Sequence, residues 1–234
     1  MLDLELAARA YEKETGAAPW KHADAPVIFG AASLTLTLLE NRTSEDVDLA
    51  LSSEFAQWWN KNGSRDGTAN MADVLPFDVF SLCGHWQSRV ATITGLKGLV
   101  FRIIHPLDTV MQKLLRVDSV KFDLKDKGDI SKTIAAIGPT RETLLELLTE
   151  NRLRYRSPII GPNKRFKMIM DTHFAMKRNT EWMLSLFLPG TTYDDIVLQS
   201  EERYLQSLGS LAAPAPMQIP KTVAEILRAR SIEL

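Results

Sequence analysis

The sequence predicts an α/β fold of the mixed α+β kind, a small mixed sheet followed by a C-terminal helical domain. Three observations carry this expectation. Short apolar runs closed by glycines fill the first half, as in VIFG at 27–30, and the charged–apolar alternation of DVDLAL at 46–51 has the two-residue period of a strand. After Pro106 the period changes, and Leu107, Val110, Met111, Leu114 and Leu115 fall on one helical face. From there to the end, helical patterns punctuated by Pro and Gly replace the strand patterns.

Taken in order, the apolar spacing of Leu2, Leu4, Leu6, Ala7 and Ala10 predicts an amphipathic helix over 2–15, stopped by Gly16. Pro26 opens a strand at 27–29, Gly30 turns the chain, and 31–40 reads as a helix. The next strand covers 46–51, and 52–62, with Phe55, Ala56, Trp58 and Trp59, reads as a helix closed by Asn62-Gly63. The polar loop GSRDGTAN follows. Strands are expected at 77–82, 89–94 and 98–103. Helices follow from Thr140, over 163–188 and 194–208, and from Thr222 to Arg230, with Ala212 to Pro216 as a short linker. The simplest division is an α/β domain over 1–120 and a helical domain over 121–234.

A chain of 234 residues with 45% apolar and 24% charged residues is long and apolar enough to fold around its own core. The single cysteine, Cys83, excludes an internal disulfide framework and agrees with a cytoplasmic location. The acidic start MLDLELAARAYEKETG has no signal-peptide pattern, and no apolar run reaches the ~20 residues of a membrane helix. The net charge of −1 is unevenly spread. Eight basic residues (Arg152, Arg154, Arg156, Lys164, Arg165, Lys167, Lys177, Arg178) face one acid, Asp171, between 151 and 178. That stretch suits either a solvated helix face or a phosphate backbone.

Asp46 and Asp48 stand one residue apart in a predicted strand, so they share a face while Val47 and Leu49 take the other. Neighbouring carboxylates repel, and a divalent cation between them removes the repulsion. Mg²⁺ is the ion that carboxylate and phosphate oxygens favour together. The bland alternative is the polar face of an edge strand. Upstream, a strand, Gly30 and a helix give a turn where backbone N–H groups can approach an anion.

Phe29-Gly30-Ala31, followed after one helix by Arg42-Thr43-Ser44-Glu45-Asp46-Val47-Asp48, resembles the polymerase-beta-like nucleotidyltransferase superfamily. Its pattern is a strand-end hG[GS] and a later [DE]h[DE]. The R-x-[ST]-x-D-h-D form is similar to that of bacterial minimal and abortive-infection toxin nucleotidyltransferases. The resemblance is carried by 26–51 and extends to Asp129. It implies a nucleotidyltransferase fold in which Asp46 and Asp48 hold two Mg²⁺ ions and a third carboxylate completes the site. Asp78, in LPFDVFSL, is the preferred third member and Asp73 its competitor. Gly30, Ala31, Ser33, Arg42 and Thr43 would lie around the nucleotide, and Lys113 and Arg116, three apart on one helix face, would contact the triphosphate. Asp126 and Asp129 would be structural partners of those bases or of Arg42.

The implied reaction is Mg²⁺-dependent transfer of a nucleoside monophosphate from an NTP such as ATP to an acceptor hydroxyl on RNA (tRNA included) or protein, with release of pyrophosphate. A toxin silenced by a cognate antitoxin is one form of it. Ala31 departs from the family pattern, where serine or a second glycine stands, and Ser33 or Thr35 could substitute. That departure supports the alternative, a catalytically inactive module of the same fold that binds nucleic acid or a protein. The scattered histidines, His22, His85, His105 and His173, have no ligand spacing for zinc.

Overall fold

The computed structural model describes residues 2–18, 25–38, 47–51, 53–62, 72–76, 86–94, 100–154, 164–209 and 221–229. Two units divide the chain, one formed by 1–81, 89–109 and 222–234, the other by 82–88 and 110–221. The division therefore falls within the helix that follows Pro106, not at residue 120. The last helix belongs with the sheet because its Val223 and Leu227 are buried in that unit's core.

The first unit is built on a five-stranded mixed sheet. Its strands are β1 (Val27–Phe29), β2 (Val47–Leu51), β3 (Ala72–Pro76), β4 (Ala91–Thr94) and β5 (Val100–Ile103), in the spatial order β3-β2-β1-β5-β4. β1 runs antiparallel to β2 and parallel to β5, β2 is parallel to β3, and β4 is antiparallel to β5. The third strand thus falls at the end of the polar loop, in ADVLP. The strand expected over 77–82 lies outside the described residues. The expected strand at 89–94 begins only at Ala91, because Trp86–Arg89 forms a 3-10 turn.

One sheet face, with Ile28, Leu49, Leu51, Ile93, Phe101 and Ile103, packs into a cluster with helices α1 (Leu2–Thr15) and α3 (Ser53–Asn62), and with the Ala32, Val223 and Leu227 side chains of α2 (Gly30–Thr37) and the last helix. Burial of a side chain such as Phe55, which is wholly enclosed, contributes roughly 2–3 kcal/mol. Tyr11 meets the edge of Phe55 at 5.2 Å and of Trp58 at 5.5 Å between ring centroids, the geometry favoured by aromatic quadrupoles. Val27, Phe29, Asp48 and Ala50 alternate with the cluster residues and so belong to the opposite face.

Helix α4 (Pro106–Lys113) starts where the sequence predicts. Pro106 has no N–H to leave unpaired at the first helical position, and His105 caps the turn by accepting from Leu107 N through Nδ1 at 3.1 Å. Inside the first unit, Arg89 grips Asp108 with two bonds, Nε to Oδ2 at 3.0 Å and Nη2 to Oδ1 at 2.6 Å, both residues being buried.

The second unit is helical. Its members are α5 (Ser119–Lys121), which continues through a π-helical segment, Phe122–Asp126, into α6 (Lys127–Ile137); α7 (Arg141–Arg154); α8 (Lys164–Phe187); and α9 (Tyr193–Gly209). The last helix of the chain, in the first unit, is α10 (Val223–Ala229). Thr192 and Asp195 close a reciprocal box at the start of α9, Thr192 N donating to Asp195 Oδ2 and Asp195 N to Thr192 Oγ1. Those bonds hold the Asp195 carboxyl below the usual aspartate range. Among the described residues no helix is long and apolar enough to cross a membrane.

Two buried asparagines of this unit finish α4. Asn151 donates to Met111 O at 3.2 Å, and Asn179 Nδ2 donates to Leu114 O and Arg116 O, both at 3.0 Å. A helix end leaves carbonyls without intrahelical partners, and burial makes water unable to supply them. Asn179→Ala is expected to lower unfolding free energy by about 1–3 kcal/mol in urea titrations, since it removes the side-chain donor from the buried Leu114 carbonyl, while Arg116 O keeps its bond from Arg178 Nη2 at 3.2 Å. An unchanged midpoint would show that those carbonyls find other donors.

Candidate functional site

The sheet brings Gly30 and Asp48 together. β1 and β2 pair with Phe29 opposite Asp48, so the residue after Phe29 turns directly over the Asp48 carboxylate. Gly30 has φ +63°, in the left-handed region where a Cβ is disfavoured. A Cβ placed on it would overlap Asp48 Oδ2 and lie 3.0 Å from Cγ. The glycine is thus required twice, by its own backbone angle and by the carboxylate packed upon it.

Gly30 also begins α2. Phe29, in the N-cap position with extended backbone, supplies no side-chain hydrogen bond to the first turn. The positive end of the helix, with backbone N–H groups that have no intrahelical acceptor, therefore lies beside a partly exposed carboxylate.

β3 adds a second carboxylate position. It runs parallel to β2 with Asp73 as the Cα partner of Asp48. Sequence reading ranks Asp78 above Asp73 because Asp78 sits in the more apolar run, but the ladder places residue 73 next to residue 48. Asp46, Asp78, Arg42 and Thr43 lie outside the described residues. Among the described residues no group of three His, Cys, Asp or Glu side chains gathers into a metal site. Asp48 supplies the hard, negatively charged oxygen that Mg²⁺ prefers, so the donor chemistry fits that ion.

Other expected contacts take different forms. Ser33, read as a phosphate ligand, is enclosed. Its Oγ donates to Gly30 O at 2.8 Å and shares a hydrogen bond with Thr109 Oγ1 at 2.8 Å, tying α2 to the first turn of α4. The reason is its place one turn into α2, where the hydroxyl reaches back to the carbonyl three residues earlier. Thr35 bonds back to Ala31 O in the same manner at 3.1 Å. Ala31 is partly exposed in the first turn.

Lys113 and Arg116 are engaged within the helical unit. Lys113 Nζ lies 2.6 Å from Asp126 Oδ1 and 2.9 Å from Asp129 Oδ2, and is 6% exposed. Arg116 Nε donates to Asp126 Oδ2 at 2.9 Å. The role of Asp126 and Asp129 as partners of these bases is as expected. Triphosphate contact is not what this geometry provides for Lys113, because a lysine held by two enclosed carboxylates has its charge already compensated. The π-helical segment that ends at Asp126 changes the helical phase at the pair, a shift that has no signature in the spacing of charges.

No protein-family model matches the chain, and a search of curated proteins returned no match.

Gly30→Ala is expected to cost about 1–2 kcal/mol from backbone angle alone, and more from the displaced carboxylate, read as a lower urea midpoint. Native stability in that variant would mean that the turn relaxes away from φ +63°. Lys113→Met removes the buried cation that Asp126 and Asp129 share, and a loss of about 3 kcal/mol or more is expected by the same assay.

Proposed function

We propose that the sheet-bearing unit is a nucleotidyltransferase of the polymerase-beta-like type, transferring a nucleoside monophosphate from an NTP to an acceptor hydroxyl. The observation that carries this reading is the packing of the Asp48 carboxylate on the left-handed Gly30 at the start of α2. A carboxylate alone on a strand is ordinary. A carboxylate set against a glycine that opens a helix has a use when a phosphate and a cation meet there.

In this mechanism Asp46 and Asp48, with Asp73 or Asp78 as third carboxylate, would hold Mg²⁺. The metal supplies Lewis-acid polarisation of the phosphoryl oxygens and neutralises charge on the departing pyrophosphate. Gly30 and the following amides hold the phosphate chain, because a backbone without a Cβ lets it come within hydrogen-bonding distance. The third carboxylate accepts the proton of the acceptor hydroxyl. As that oxygen forms its bond to the α-phosphorus, the bond from the α-phosphorus to the bridging oxygen breaks in line, and pyrophosphate carries the electron pair away. Protein groups contribute mainly position, the chief requirement of phosphoryl transfer.

The test uses the full chain with Mg²⁺, each α-labelled NTP in turn, and total RNA or lysate protein as acceptor. Label is expected in the acceptor fraction with the native chain. Asp48→Asn is expected to reduce transfer by at least about 100-fold, the scale of losing a metal-holding or charge-stabilising group. Equal transfer by native chain and Asp48→Asn would overturn the reading. Absence of transfer to every acceptor, together with no Mg²⁺-dependent rise in melting temperature at millimolar NTP, would favour the inactive module to which Ala31 points.

A further inference from the structure

Helix α9 has one seated side and one open side. On the seated side Ile196 and Ser200 are buried, and two polar contacts tie the helix to α7: Thr149 Oγ1 donates to Gln199 Oε1 at 3.3 Å, and Arg203 Nη2 lies 3.5 Å from Glu146 Oε1. Leu198, Leu205 and Leu208 are 62%, 64% and 67% exposed. A single exposed leucine is ordinary, but these three are not scattered. At 3.6 residues per turn, Leu205 lies about 20° around the helix from Leu198, and Leu208 about 60° further in the same direction. Ile196 and Ser200 lie about 160° from Leu198, one on each side, so the leucine stripe is opposite the seated face.

Spacings of seven and three are those of the seam along which one helix packs on another. A stripe of this kind loses apolar surface to water only when a second helix covers it, since the seam accepts side chains arriving at the same period.

Charge around the stripe selects among the helices that could do so. Asp194, Leu198 and Glu202 follow one another at intervals of four, and Glu202 stands three residues before Leu205, so both acids border the leucines. Both are exposed, and among the described residues neither forms an ion pair. No residue three or four positions from either acid is basic, and the one basic residue of α9, Arg203, is turned to Glu146. A second copy of the chain would bring its own Asp194 and Glu202 to the seam and set like charges together. An anionic lipid surface is disfavoured for the same reason.

We propose that the outer face of α9 docks a basic amphipathic helix of a partner protein, whose apolar stripe covers Leu198, Leu205 and Leu208 and whose lysines or arginines meet Asp194 and Glu202. The docking is independent of the nucleotidyl transfer proposed for the sheet-bearing unit.

The experiment measures fluorescence anisotropy with the full chain and three labelled synthetic peptides of three heptads each. The first carries Leu at the seam positions and Lys on both flanks, the second replaces every Lys by Glu, and the third keeps Lys but replaces every Leu by Gln. The first is expected to bind at least about tenfold more tightly than either of the others, and more weakly as salt is raised. Leu198→Ala with Leu205→Ala should weaken that binding at least about tenfold, the scale of losing anchor side chains. Because both leucines are exposed, this double variant should keep the native melting temperature. Glu202→Lys should weaken binding of the Lys peptide and strengthen binding of the Glu peptide. Absence of binding of the first peptide at up to about 1 mM, or binding that the double alanine variant leaves within twofold of native, would overturn the proposal. A lowered melting temperature of the free double variant would overturn it as well, by showing that the chain itself covers the stripe. So would a dimer of the free chain in sedimentation that the double variant abolishes, since the occupant would then be a second copy.

Discussion

The antiparallel register of β1 and β2 is the constraint on which the sheet-bearing unit depends. Phe29 opposite Asp48 fixes which residues of both strands enter the core, since a slip of one position would carry Leu49 and Leu51 to the other face and place a carboxylate in the apolar cluster. The same register sets the carboxylate beside the turn at Gly30. Core and candidate site are therefore two sides of one alignment, and a change that relaxes one is felt by the other. A short strand of three residues could not hold such an alignment alone. Its parallel partner β5 on the other side, with Arg102 N donating to Pro26 O at 2.7 Å, pins it.

The helical unit uses a different strategy, with much of its order set by enclosed polar groups. Asn151 and Asn179 complete the end of α4, and Lys113 is held by Asp126 and Asp129. Such groups contribute less net stability than apolar contacts of the same size, because desolvation offsets most of the attraction. They do distinguish one packing from its neighbours, since each misplaced arrangement would leave a charge or carbonyl unmet. Satisfaction is not complete: Nε and Nη1 of Arg152 and the Thr133 hydroxyl are enclosed without a hydrogen-bond partner.

Much of the architecture was legible in the residues. Pro106, the Asn62-Gly63 stop and the start at Thr222 mark helix ends because breaking and capping are local chemistry, and the structure puts helix termini at or beside each. The pairing of Asp126 and Asp129 with Lys113 and Arg116 was legible too. What escaped is non-local. β3 was hidden because ADVLP carries only a short apolar run after a polar loop, and its strand character comes from lying along β2. The inward turn of Ser33 depends on Thr109, which no spacing connects to it. For the candidate site, the approach of Gly30 to Asp48 and the position of residue 73 beside residue 48 both follow from the strand ladders.

The return of α10 to the first unit has a consequence for how the protein is made. Val223 and Leu227 fill the core beneath the sheet, alongside residues from α1 at the other end of the described chain. At about 5–20 residues per second, the sheet can pair early, but its apolar face stays partly uncovered until the helical unit has been translated in full. Contacts between such distant parts of a chain form slowly and close the fold late. A product stopped short of that helix would carry the Gly30–Asp48 turn on an unfinished core.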